Sequence, residues 1–125
     1  MEPRPTVVAI VDDDPRILEA LGDLLESAGY SVRAFSSGKS FLDEVSLADV
    51  DCLVTDIGMP VIDGFSLQRL ATGARPDLPV IFITGNAKWL ASARSGAFSR
   101  SECFQKPFDS KALIETIGRA VLPKA

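Results

Sequence analysis

Short β-branched runs alternate with amphipathic helical patterns along the whole chain, at intervals of roughly 25 residues. The predicted strands are residues 6–11, 31–35, 51–55, 79–84 and 103–105. After the first of them Ile17, Leu18, Leu21, Leu24, Leu25 and Ala28 recur at spacings of three and four. Pro15 stands at the first turn of that helix and Gly29 is its stop. Residues 63–71 form a shorter predicted helix with Phe65, Leu67 and Leu70 as its stripe. Near the C-terminus Leu113, Ile114, Ile117 and Val121 repeat the pattern, with Asp109 or Ser110 as cap and Pro123 as end. Residues 38–45 and 87–97 carry weaker helical patterns, and the second holds mainly Trp89 and Leu90 among alanines and serines. That fourth helix is expected to be the least stable of the fold. Five βα units in series predict an α/β protein with a doubly wound, five-stranded parallel sheet and right-handed crossovers. For five strands in 125 residues the order 2-1-3-4-5 fits best, with a switch point between strands 1 and 3. There is no repeat, linker or low-complexity segment, so one domain over residues 1–125 is expected.

Strand ends that share a direction lie on one edge of such a sheet, so the residues there should converge on a single crevice. Those residues are Asp12 and Asp13 after strand 1, Asp56 after strand 3, Thr84 closing strand 4 and Lys106 after strand 5. Asp12, Asp13 and Asp14 are adjacent carboxylates whose repulsion is costly where water is partly excluded. A bound hard cation relieves that cost, and carboxylates with retained waters suit magnesium. Asp14 is read instead as the cap of the helix that opens at Pro15. Asp56 leads into an irregular loop in which Gly58, Pro60 and Gly64 limit backbone freedom. A carboxylate beside a metal can attack a phosphoryl group and hold it as an acyl phosphate. The Thr84 hydroxyl can donate to a phosphoryl oxygen, and Lys106, directed into three carboxylates, can clamp a phosphate. Lys106–Pro107 could adopt a cis peptide.

The rest of the composition narrows the chemistry. The chain has no histidine, which excludes a serine–histidine triad, histidine zinc ligands and an internal phosphohistidine relay. Net charge is -4 and no basic run stands out, so direct contact with nucleic acid or an anionic membrane is not expected. The longest apolar runs fall far short of the ~20 residues that span a bilayer. With no apolar leader, a cytoplasmic location is expected. Cys52 and Cys103 sit in predicted strands among apolar neighbours and should be reduced, acting as small hydrophobes.

An Asp-Asp pair after strand 1, D-x-x-M-P-x-x-D-G after strand 3, Thr84-Gly85 after strand 4 and Lys106-Pro107-Phe108 after strand 5 together resemble a response-regulator receiver domain, CheY-like in fold. The match covers nearly the whole chain, and the 22-residue step from Thr84 to Lys106 fits the family. The resemblance implies that Asp56 is the phosphoacceptor for a sensor histidine kinase in a two-component system. It implies that Asp12, Asp13, Asp56 and the backbone carbonyl of Gly58 hold Mg2+ or its waters. Thr84 and Lys106 would then report phosphorylation to the surface formed by the fourth helix, fifth strand and fifth helix. The chain would be a phosphoacceptor switch that assists its own phosphorylation and dephosphorylation, not a metabolic enzyme. It resembles receivers that commonly precede a LuxR-type DNA-binding domain. A phosphorylation-dependent homodimer, the cognate kinase and the output are left open.

Several positions depart from the family pattern. An aromatic usually stands three residues before the lysine; here that position is Cys103, with Phe104 beside it. Alternation along a strand sends Phe104 to the opposite face, so an altered switch is expected. Ser99-Arg100-Ser101 replaces the usual small pair before strand 5. Gly58 and Asn86 occupy the two positions where the family tunes hydrolysis, and a glycine there leaves water access open, suggesting a short-lived phosphoryl group. Trp89 is read as packing partly on the sheet, with a partner contact as the alternative. A pseudo-receiver, a pure interaction module, is favoured by Cys103 but opposed by the intact Asp12, Asp13, Asp56, Thr84 and Lys106. A phosphohydrolase of haloacid-dehalogenase type needs a second acid two residues past its nucleophile, where this chain has Gly58. A flavodoxin-like flavin site would have its phosphate repelled by Asp12-Asp13-Asp14.

Overall fold

The computed structural model describes residues 5–86, 88 and 102–121. Most of the predicted fourth helix, Trp89 included, and the stretch 99–101 lie outside the described residues. The strands are β1 (Val7–Val11), β2 (Ser31–Phe35), β3 (Cys52–Asp56), β4 (Val80–Thr84) and β5 (Glu102–Gln105). All pair in parallel, in the expected order β2-β1-β3-β4-β5. Every residue of β3 and β4 is buried, as continuous apolar strands covered on both faces require. The edge strands β2 and β5 carry exposed residues instead.

The described helices are α1 (Pro15–Ser27), α2 (Gly38–Glu44), α3 (Gly64–Ala74) and α4 (Ser110–Ala120), with a single 3-10 turn at Leu47–Asp49. Each α-helix opens on a side-chain cap that occupies a backbone N–H left without an intrahelical partner. Asp14 accepts from Arg16 N, Ser37 from Ser40 N, Asp63 from Ser66 N and Asp109 from Lys111 N. Gly29 follows α1 with φ 97°, the left-handed conformation that ends a helix at least cost when the residue is glycine. Asp14 and Asp109 therefore cap as expected. Several element ends shift by a residue or so from the predicted ranges, and two of the differences bear on the site and the core. β3 runs on to Asp56, whose backbone pairs with Ile83, so this acid is a strand residue and not the first of a loop. α3 continues to Ala74, and Leu70, expected on its apolar stripe, is 53% exposed; Leu67 and Ala71 are its buried positions.

The sheet divides the core in two. Ala9, Val11, Leu53 and Phe82 pack with Phe41 of α2 and Phe65 and Leu67 of α3. Val8, Ile10, Val54 and Ile83 pack with Leu21 and Leu25 of α1 and with Leu113 and Ile117 of α4. Phe65 meets Phe82 edge-on at 5.2 Å between ring centroids, the arrangement that aromatic quadrupoles favour. Both faces of the central strands are thus sealed. Polar groups gather at the carboxyl edge, where Asp12, Asp56 and Thr84 are the buried polar residues at strand ends.

Candidate functional site

Asp12 follows β1 directly, and its N–H donates to the Phe35 carbonyl at 3.1 Å. It is only 1% exposed. The N–H of Asp14 donates to Asp12 Oδ1 at 2.9 Å and so fixes the carboxylate's orientation. Asp13 is exposed. Asp14 turns away: its Oδ1 accepts from Arg16 N at 2.9 Å and its Oδ2 meets the Arg16 guanidinium at 3.1 Å. That guanidinium holds the Asp14 carboxyl below the usual carboxylate range. Of the three consecutive acids, two are left for the crevice.

Asp56 completes a group of three. One carboxylate oxygen from each of Asp12, Asp13 and Asp56 lies within 4.8 Å of the others. An all-carboxylate set of hard oxygen donors, open to solvent at Asp13, fits a magnesium-sized cation that keeps part of its water shell. Gly58, the expected source of a carbonyl ligand, lies exposed two residues beyond Asp56. Burial pushes the Asp56 carboxyl above the ordinary carboxylate range, and Asp12 adds to the shift. Lys106 pulls it down, Asp13 pushes it up by less, and the Ile57 N–H pulls it down slightly. Like charges and desolvation therefore outweigh the lysine at this acid.

Lys106 enters from the end of β5. Its Nζ is 2.8 Å from Asp12 Oδ2 and 3.7 Å from Asp56 Oδ1. The lysine bonds Asp12 directly and stands second to Asp56, close enough to follow a group attached there. Its backbone N–H donates to the Thr84 carbonyl at 2.6 Å, which ties the ends of β4 and β5 together. The Lys106–Pro107 peptide is cis. Thr84 is buried at 1% exposure, and its hydroxyl accepts from Asn86 N at 3.0 Å and donates to Asn86 O at 3.3 Å. The hydroxyl is therefore near the crevice but engaged with its own loop.

The loop after β3 is folded back on its origin. The Ile57 carbonyl accepts from Met59 N at 3.0 Å and from Gly64 N at 2.8 Å. Thr55 Oγ1 donates to the Asp56 carbonyl at 2.9 Å, and Ile57 N donates to Asp56 Oδ1 at 3.0 Å. A Cβ built on Gly64 would fall 2.7 Å from Ile57 Cα and closer still to the Asp56 carbonyl oxygen. Gly64 does more than limit loop freedom: its role is close approach, and the sequence signal for it is a glycine directly after the α3 cap Asp63. Cys103 packs against the core on the Phe82 face and Phe104 against the α1 and α4 face. The aromatic of β5 is thus on the side away from Phe82, as strand alternation predicted.

Comparison with known proteins gives one consistent answer. The family model of the response regulator receiver domain matches residues 8–118. The response regulator protein TodT of Pseudomonas putida is 35% identical over 121 residues, covering 97% of this chain and 53% of TodT. The transcriptional regulatory protein FixJ of Azorhizobium caulinodans is 32% identical over 115 residues, covering 92% of this chain and 54% of FixJ. The chain spans about half the length of these two relatives. Among solved structures, the chemotaxis protein CheY4 of Vibrio cholerae superposes with a TM-score of 0.82 at 26% identity, covering 95% of this chain and 100% of that one.

Proposed function

This chain belongs to the response regulator receiver family, a signalling domain of two-component systems and not a metabolic enzyme, and on that premise we propose that Asp56 takes a phosphoryl group from a sensor histidine kinase. The observation that carries the reading is the placement of Asp56 between an ammonium and two further carboxylates at one sheet edge. In the proposed step a carboxylate oxygen of Asp56 attacks phosphorus, the phosphorus–nitrogen bond of the donor's phosphohistidine breaks, and the imidazole leaves with its electron pair. The product is an acyl phosphate on Asp56.

Each neighbour has a part in that exchange. Asp12, Asp13, Asp56 and the Gly58 carbonyl would hold Mg2+, which when bound neutralises charge on the transferring group. Lys106 would pass from its bond with Asp12 to a phosphoryl oxygen, a shift that its 3.7 Å distance from Asp56 Oδ1 makes short. Thr84 would exchange its bonds to Asn86 for one to another phosphoryl oxygen. Water reaching the exposed side at Gly58 would hydrolyse the acyl phosphate and reset the switch. The phosphoryl group acts by favouring one of two conformations that both pre-exist. With Cys103 on the Phe82 face, coupling from Thr84 would run through a smaller side chain than the family's aromatic.

The test is intact mass after incubation with acetyl phosphate and magnesium, on this chain and on Asp56→Asn. A gain of one phosphoryl mass that needs both Asp56 and magnesium is expected. No gain, with magnesium still bound, would overturn the switch in favour of a phosphorylation-independent interaction module.

A further inference from the structure

Val61 stands at the tip of the loop that leaves Asp56 and returns to it. The Ile62 N–H donates to the Pro60 carbonyl at 2.8 Å, closing a three-residue turn around Val61. Its φ is 68°, in the left-handed region that β-branched side chains rarely enter. Glycine or asparagine would hold the same turn with less strain. The residue is also 97% exposed, so its isopropyl group makes almost no packing contact that would offset the strain. Two penalties fall on one position, and neither the turn nor the core accounts for valine there.

Its surroundings point to a partner. Residues 57–62 carry no charge, and Gly58, Pro60 and Val61 are all exposed. Both ends of the loop are fastened at Asp56, through the Gly64–Ile57 hydrogen bond and the contact of Gly64 with the Asp56 backbone. A small phosphoryl donor needs only the carboxylates and the lysine. A protein donor must also lay its surface across the rim of this edge, and the loop tip is an apolar part of that rim. We infer that Val61 is a specificity contact for the protein that delivers the phosphoryl group, seating in an apolar recess beside the donor's phosphohistidine. The inference rests on Asp56 being the phosphoacceptor.

The experiment compares two donors on wild type, Val61→Asn and Val61→Gly, both of which tolerate a positive φ. One donor is acetyl phosphate. The other is an autophosphorylated sensor-kinase transmitter domain, chosen from a purified panel as the one that phosphorylates wild type fastest. Expected is a loss of at least about tenfold in transfer from the kinase, equivalent to ~1.4 kcal/mol, with the acetyl phosphate rate held within about twofold. Equal slowing with both donors would make Val61 a support for Asp56 geometry and overturn the inference. Unchanged rates with both donors would overturn it too. So would a wild type that accepts from acetyl phosphate but from no kinase, while leaving Asp56 as the acceptor. A wild type that gains no phosphoryl group from either donor removes the reading of Asp56 and the inference together.

Discussion

Gly64 and Asp56 are in backbone contact across the loop that separates them, so close that a single methyl group on Gly64 would strike the Asp56 carbonyl oxygen and Ile57 Cα. The atoms in the way are main chain, held by Thr55 Oγ1 and by the Gly64–Ile57 hydrogen bond, and cannot swing aside as a flexible side chain would. The position of the acid is therefore set partly by the absence of a side chain eight residues later.

Gly64→Ala should lower stability by about 1–3 kcal/mol, the usual range for overpacking. Because the displaced atoms belong to Asp56, phosphorylation by acetyl phosphate should fall as well. Urea denaturation and intact-mass time courses on the same variant read the two effects. A variant as stable as wild type would show that the loop moves freely and that the contact does not position Asp56.

Lys106→Met removes the 2.8 Å partner of a carboxylate that is 1% exposed. Stranding that acceptor should cost about 1–3 kcal/mol in metal-free buffer. Added magnesium should restore part of the loss, because a cation held by Asp12, Asp13 and Asp56 supplies the missing positive charge. Paired denaturation curves with and without magnesium chloride decide the matter. The same deficit in both buffers would count against a cation at these three acids.

Burial, with Asp51 adding to it, pushes the Cys52 thiol up to about 12 from an ordinary value of 9.0. The folded state thus keeps a proton that the unfolded chain releases above pH 9, so this group's contribution to stability is intact below that pH and declines from there toward 12. Native protein at neutral pH should leave Cys52 unlabelled by a thiol reagent that reacts once the chain is unfolded. Cys52→Ala should show a shallower alkaline loss of stability than wild type. An identical alkaline slope would mean that another group governs it.

Phe104 packs toward α1 and α4, whereas Cys103 packs on the Phe82 face. Phe104→Ala should therefore act as a packing defect, costing about 1–3 kcal/mol for a partly buried ring. Acetyl phosphate labelling of Asp56 should persist, as should any change in Trp89 fluorescence that accompanies it. Loss of the fluorescence change with labelling intact would instead make Phe104 the coupling residue.

Local chemistry is legible in the sequence itself. Asp14 and Asp109 announce themselves as caps because a short acid beside Pro15 or ahead of an apolar helix has one cheap use. Leu70 lies off the buried face because a 3.6-residue stripe defines a helix face only to within one neighbour. The face of α3 that meets the sheet is centred on Leu67 and Ala71. Val61 left no trace in the pattern, since valine ordinarily argues for an extended strand and not for a turn with φ of 68°.

By itself the order of residues determined the alternation of strands and helices, the strand order, and which polar groups share the carboxyl edge. These follow from periodicity and chain direction, which are properties of neighbours along the chain. Tertiary structure alone decided that Lys106 bonds Asp12 and stands back from Asp56, that the Thr84 hydroxyl is held by Asn86, and that Gly64 touches Asp56. Lys106 and Asp12 are 94 residues apart in sequence, and their 2.8 Å separation is set by how β3 and β4 pack between β1 and β5. Spacing along a chain says which residues arrive at an edge, but the packing of the core beneath sets the ångström or so that separates a bond from a near approach.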